Sequence, residues 1–237
     1  MPEKNKGEGY ALTWEALKPD WPVWVVLAGL LAAAVILYPL LPERVPVHWN
    51  WRGEVDRYGS RFEGAFTAPL LALGIYALML VTPLIDPRRE NYARFAGAYR
   101  LLRGAFVLFM AGIYVVWMAA ALGYRVDIGF AVKTVLGLLF IAIGNVLGQV
   151  RFNYFVGVRT PWTLADEAVW RRTHRLAAKV WVLGGLVCLV LAPFRTLWAV
   201  VAFFSVLTLM TLVPVAFSCF YYLRLGLRGA GRKEKGK

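Results

Sequence analysis

The sequence predicts an all-α integral membrane protein with six transmembrane helices, and three observations carry that prediction. Of the 237 residues, 59% are hydrophobic and only 17% are charged, where a soluble domain has about a quarter charged. The charges collect between long apolar runs. Six of those runs reach the ~20 residues that a helix needs to cross a hydrocarbon core. In so apolar a chain, a formal net charge of +13 reads as topology signal and contact with anionic lipid, not as a surface for direct nucleic-acid binding.

Residues 1–20 form a polar N-terminal segment in which Tyr10, Leu12, Trp14 and Leu17 outline either a short interfacial helix or a frayed terminus. The predicted spans follow as Trp21–Leu41, Ala65–Ile85, Gly104–Leu122, Asp127–Leu147, Leu176–Phe194 and Leu197–Leu223. Short links after Leu122 and Phe194 predict antiparallel hairpins of the third and fourth spans and of the fifth and sixth. Pro39, Pro69, Pro83 and Pro214 lie near or inside spans, where neighbours can satisfy the freed carbonyls. The first apolar run is long enough to span and has no cleavage pattern after it, so no removable signal peptide is expected. Cys188 and Cys219 both sit in apolar runs and read as small core residues, not as a disulfide. Gly184 and Gly185 allow close helix approach, within one chain or between two. The chain so divides into an N-terminal segment 1–20, a membrane half 21–122 with an outer loop 42–63, a second half 123–224 with an inner loop 148–179, and a basic tail 225–237. Most of the 27 Lys and Arg residues fall in the N-terminal segment, the connection after the second span, the inner loop and the tail. The positive-inside rule therefore puts both termini and the inner loop in the cytoplasm.

The outer loop alternates Val45, Val47, Trp49 and Trp51 with Pro46, His48, Asn50 and Arg52. That period of two predicts a short strand-like segment, turned at Gly53-Glu54 and returning through Asp56 to Gly59. His48 has no second ligand at metal spacing, and the other histidine, His174, is expected across the bilayer. A hydrogen bond from His48 to Asp56 or to the backbone suits it better than catalysis or a metal. Asp56 with Arg57 or Arg61 reads as ordinary surface charge.

The inner loop is the longest polar interruption in the chain. In NYFVGVRTPW, Gly157 gives freedom at a turn and Pro161 holds Thr160 extended. Thr163 reads as a helix N-cap with Asp166 in the capping-box position. A helix is expected from Leu164 onward into the fifth span, with Glu167 placed to pair with Arg171. Arg171, Arg175 and Lys179 share one face; Trp170, His174, Ala177 and Trp181 share another. A membrane-surface helix and a docking surface for a cytoplasmic partner or anionic ligand both fit this pattern.

At these residues the sequence resembles a family. NYFVGVRTPWTLADEAVWRRTHRLAAKVW resembles the C-terminal signature of the SdpI family of membrane proteins. PVHWNWRGEVDRYGSR, with Pro46, His48, Gly53, Asp56 and Arg57, resembles the domain of unknown function in the N-terminal half of longer SdpI-like proteins. The resemblance implies toxin immunity and signalling without catalysis or cofactor. It also implies two partners besides the bilayer, a secreted toxic peptide outside and a helix-turn-helix repressor inside. It marks His48, Gly53, Asp56 and Arg57, with Asn50 between them, as outer-loop candidates for ligand binding, and Asn153, Tyr154, Gly157, Arg159, Thr160, Pro161, Trp162, Trp170, Thr173 and His174, with Arg151 beside them, as inner-loop candidates for partner binding. Two other functions compete. A small-molecule or peptide transporter would need ionisable groups in the spans. Lys133, expected to snorkel from a helix end, is the main one, and Asn145 and Gln149 are modest polar additions. A membrane hydrolase would be built on His48 or on Asp166, Glu167 and His174. It has no nucleophile in a recognisable motif, and the two adjacent carboxylates point to different helix faces. No metal site is expected, and the oligomeric state is left open.

Overall fold

A computed structural model describes residues 11–234, with side chains through 226. Tyr10 and most of the basic tail lie outside the described side chains. Among the described residues, six helices are long and apolar enough to cross a membrane, so the chain is a multi-pass membrane protein.

The elements run in order. Helix α1 (Trp14–Leu17), capped by Thr13, leads through a 3₁₀ turn at Lys18–Asp20 into α2 (Trp21–Leu37). A second 3₁₀ turn at Tyr38–Leu40 holds Pro39 and ends the first span. The outer loop is an antiparallel hairpin of β1 (Val45–Trp49) and β2 (Val55–Gly59). Ser60 then caps α3 (Arg61–Ile85), its hydroxyl accepting the Glu63 N–H at 3.1 Å. A 3₁₀ stretch Arg89–Phe95 leads to α4 (Ala96–Ala121), and α5 (Ile128–Leu147) follows, capped by Asp127. The inner loop holds the short α6 (Pro161–Ala165). Finally come α7 (Glu167–Leu191) and α8 (Leu197–Glu234).

The expected helical hairpins α4–α5 and α7–α8 form, but the most extensive pairing is between α5 and α7. It rests on glycines. A Cβ on Gly137 of α5 would fall 2.9 Å from Gly185 O of α7, and one on Gly185 would fall 2.6 Å from Gly137 O. The two backbones therefore meet without side chains between them. Gly184 faces Met210 of α8. Both glycines of this pair serve packing within one chain.

Three expectations are corrected. Helices α3 and α4 start at Arg61 and Ala96, before the predicted Ala65 and Gly104, while α2 and α7 end at Leu37 and Leu191, before the predicted Leu41 and Phe194. Arg103, counted above as a connection residue, lies inside α4 and is 3% exposed. Its Nη2 and Nε donate to Asp20 Oδ2 at 2.7 and 3.1 Å, and Tyr76 Oη donates to the same oxygen at 2.9 Å. Trp24 Nε1 donates to Tyr76 Oη at 2.7 Å. This buried network ties α2, α3 and α4. Lys133 does not snorkel to solvent: it is 6% exposed and donates to the carbonyls of Leu191 and Phe194.

Candidate functional site

The candidate residues gather at the two ends of the bundle. At the hairpin end, Gly53 takes φ +80° and Gly53 N–H donates to Asn50 O. Asn50 builds the turn: its Oδ1 accepts from Arg52 N–H at 2.9 Å and Glu54 N–H at 3.1 Å, and its Nδ2 donates to Glu54 Oε2 at 2.9 Å. On the strands, His48 Nδ1 sits 2.6 Å from Asp56 Oδ1, the hydrogen bond expected from the sequence. Both side chains face solvent. Arg57 pairs with Glu63 at 2.9 Å, not with Asp56. Val45 and Val47 on the other strand face are buried against the bundle. This is the inside-outside alternation the period-two pattern predicted. Trp49 packs edge-on against Trp117 of α4. The hairpin tip overhangs α5 and α8, and a cleft of about 260 Å³ opens between them, lined by Trp49, Trp51, Lys133, Phe203 and Phe204 among others.

At the other end, the inner loop is held from within. Asn153, fully buried, accepts the N–H groups of Phe155 (2.9 Å) and Val156 (2.7 Å) on Oδ1 and donates from Nδ2 to Arg151 O and Val156 O. One side chain thus closes the turn from both sides, which its amide's two donors and acceptor permit. Gly157 has φ +116°, and a Cβ there would collide with His174 Nε2. His174 Nε2 accepts the Val158 N–H at 3.0 Å while Nδ1 lies 2.9 Å from Trp170 O. A carbonyl on one nitrogen and an N–H on the other fix the neutral imidazole with its proton on Nδ1. Its ring stacks on Trp170 at 4.1 Å, and Trp170 Nε1 donates to Val150 O at 3.0 Å.

The helix start differs from the sequence reading. Thr160, not Thr163, is the N-cap of α6, and Thr163 supplies the reciprocal half of the capping box. Its hydroxyl also donates toward Val158 O at 2.9 Å, and Thr160 Oγ1 meets Ser218 of α8 at 2.9 Å. The helix then breaks at Asp166 (φ −147°, ψ 126°), which caps α7 through Ala168 N–H and Val169 N–H. Asp166 is a cap to the next helix because its extended backbone cannot continue α6. Glu167 and Arg171 pair at 3.5 Å.

Asn153, Thr160, Trp170, Thr173 and His174 are therefore buried, while Arg151, Tyr154, Gly157, Arg159 and Pro161 are exposed and Trp162 is half-buried. Arg159 Nη1 donates to Tyr154 O at 2.9 Å, so its guanidinium braces the loop at the surface. Of the two expected faces of α7, Trp170, His174 and Ala177 point inward and Arg171, Arg175 and Lys179 point out.

The sequence did not mark the partners contributed by the α3–α4 connection. Asp86, 2% exposed, accepts Tyr154 N–H at 3.0 Å and Tyr92 Oη at 3.0 Å. Asn91 Nδ2 donates to Phe152 O at 2.8 Å. Arg94 joins Arg151, Arg171, Glu167, Asn91 and Trp170 around a polar cavity of about 380 Å³. Only the clustering of arginines in both connections hinted at it. Among the described residues no group of three or more His, Cys, Asp or Glu side chains is placed to hold a metal ion. Cys188 and Cys219 are both free.

Comparison with known proteins falls on these same two regions. Residues 149–222 match the model of the SdpI/YfhL protein family, and residues 25–73 match that of a domain of unknown function, DUF1648. The first match spans the inner loop, α7 and most of α8; the second spans most of α2, the hairpin and the start of α3. The chain is 28% identical over 201 residues to the immunity protein SdpI of Bacillus subtilis (strain 168), covering 85% of this chain and 94% of that protein. No solved structure matches it. With both regions in order along one bundle, the chain is similar to the SdpI/YfhL family over residues 149–222 and to the DUF1648 segment over residues 25–73, which holds the hairpin.

Proposed function

We propose that this chain is a membrane immunity protein that protects its cell from an extracellular toxic peptide. It meets the peptide with the hairpin end and offers the basic inner face to a cytoplasmic repressor. The observation that carries the reading is the near end-to-end similarity to an immunity protein, over 94% of that protein's length. Orientation follows from the Lys and Arg distribution, which favours both termini and the inner loop in the cytoplasm. His48, Asn50, Gly53, Asp56 and Arg57 then stand outside, and the arginine-lined cavity of Arg94, Arg151 and Arg171 stands inside. The division of labour in the inner loop supports docking at its exposed members, Arg151, Tyr154, Arg159 and Pro161. The buried members hold the surface in shape. Binding that signals must favour one of two states of the bundle.

The test is a challenge assay. A sensitive host expressing the chain is exposed to an SdpC-like peptide, and wild type is compared with His48→Ala and Arg159→Ala at matched membrane levels. Protection by wild type that is lost in His48→Ala is expected. Wild type that gives no protection overturns the reading. Retention of a repressor on membranes by wild type but not by Arg159→Ala tests the inner face separately.

A further inference from the structure

We propose that the cleft beneath the hairpin tip binds the carboxylate end of an apolar peptide, and that Lys133 is the cation that receives it. The peptide nature of the ligand rests on the immunity reading; the chemistry of the site rests on the cleft itself.

The cleft has aromatic and aliphatic walls from Trp49, Trp51, Val132, Phe203 and Phe204. Such walls suit apolar side chains, with a few polar groups setting orientation. It continues into a more polar mouth of about 170 Å³, where Arg52, Asp127 and Arg195 join the lining. Lys133 lines both spaces although it is 6% exposed. An ammonium has three donors. Two are taken by Leu191 O at 3.1 Å and by Phe194 O, at the end of α7 and the turn beyond it. Both acceptors are neutral. Asp127, at the head of the same helix, acts on Lys133 through its charge but makes no hydrogen bond to it, its carboxylate being held by Arg195 Nε at 2.7 Å. A buried cation with neutral partners retains a large desolvation penalty, and an ionisable group at membrane depth marks a site. A carboxylate entering the cleft would supply a contacting negative charge as the third acceptor, in the strongest class of hydrogen bond.

A peptide fits this lining better than an acyl chain does. Main-chain N–H and C=O groups need partners when they leave water, and the mouth provides charged side chains beside the exposed turn at Asn50–Gly53. An acyl tail would leave those groups unused.

The probe is a mixed library of apolar octapeptides of Leu, Val, Phe and Trp, made once as free acids and once as C-terminal amides. Retention by the full-length protein in nanodiscs is read by mass spectrometry. Wild type should retain the acids over the amides by roughly tenfold, the weight of one charge-assisted hydrogen bond. Lys133→Met should bring the ratio to about one, and Lys133→Arg should keep a preference for acids. Because the acid–amide comparison is made on wild type, a Lys133→Met variant that fails to fold leaves the test intact. Equal retention of acids and amides by wild type, or no retention of either, overturns the proposal. So does an acid preference that survives in folded Lys133→Met, or displacement of the acids by laurate at equal concentration, which would make the cleft a fatty-acid site. The immunity reading fails in a different place: acid-selective binding would stand while expressing cells stay sensitive.

Discussion

Replacing Gly157 by alanine probes the centre of the inner loop, and its effect should depend on one other residue. Gly157 holds φ +116°, and a Cβ there runs into His174 Nε2. Left-handed backbone costs a non-glycine residue about 1–2 kcal/mol. The imidazole cannot step aside freely, since it is fixed by Val158 N–H, Trp170 O and the Trp170 ring. Displacing it strands the Val158 N–H, a further ~1–3 kcal/mol for a buried donor without a partner. Gly157→Ala should therefore cost about 2–5 kcal/mol in the wild-type background. In a His174→Ala background the collision partner is gone and the donor is already stranded, so the same change should cost only the backbone term, about 1–2 kcal/mol. The coupling energy from the four proteins should reach about 1–3 kcal/mol, well beyond the scatter of independent sites. Equilibrium unfolding in mixed micelles, followed by tryptophan fluorescence, measures it. Additive costs, with coupling under about 0.5 kcal/mol, would refute the view that Gly157 is required by the imidazole.

Other perturbations test other parts of the bundle. Arg103→Met leaves the Asp20 carboxylate buried without its cation and should cost about 3–5 kcal/mol; adding Asp20→Leu should recover much of that loss, read as a rise in melting temperature of the double variant over the single. His48→Ala breaks an exposed pair and should change stability by under about 1 kcal/mol, so unaltered melting with lost protection would separate function from folding. Thr163→Val removes the hydroxyl that completes the capping box of α6 and meets Val158 O; a loss of about 1–2 kcal/mol is expected, together with faster amide exchange at Thr160, whose N–H donates to that hydroxyl. Gly185→Val places bulk against the Gly137 carbonyl and should lower the melting temperature sharply, whereas Gly97→Val, with open space around its Cβ position, should not by comparison.

The membrane architecture was legible because apolar runs of spanning length have few alternatives in a chain this poor in charge. The hairpin was legible from alternation, since Val45 and Val47 needed one face and His48 the other. What the sequence concealed were partners distant along the chain. Asp20 looks like an interfacial charge until α4 brings Arg103 against it, and Asp86 looks like a loop acid until Tyr154 N–H and Tyr92 reach it. Lys133 had the pattern of a snorkelling residue, but the end of α7 offered it carbonyls nearer than water. The cap was expected at Thr163, but Pro161 places it at Thr160: proline fits the first helical turn, which leaves the position before it as the cap.

The glycine crossing of α5 and α7 has a mechanical consequence when taken with the fastenings at its two ends. Lys133 clamps α5 to the far end of α7, Gly137 and Gly185 press the two backbones together, and Trp170 bolts the start of α7 to Val150 just beyond α5. Two rods joined at three levels have no freedom to scissor or slide against each other. A push at the hairpin end cannot be lost as shear within this pair; it must tilt the pair as one strut. Such a tilt would be passed to α4 and α8, the helices against which the pair also packs.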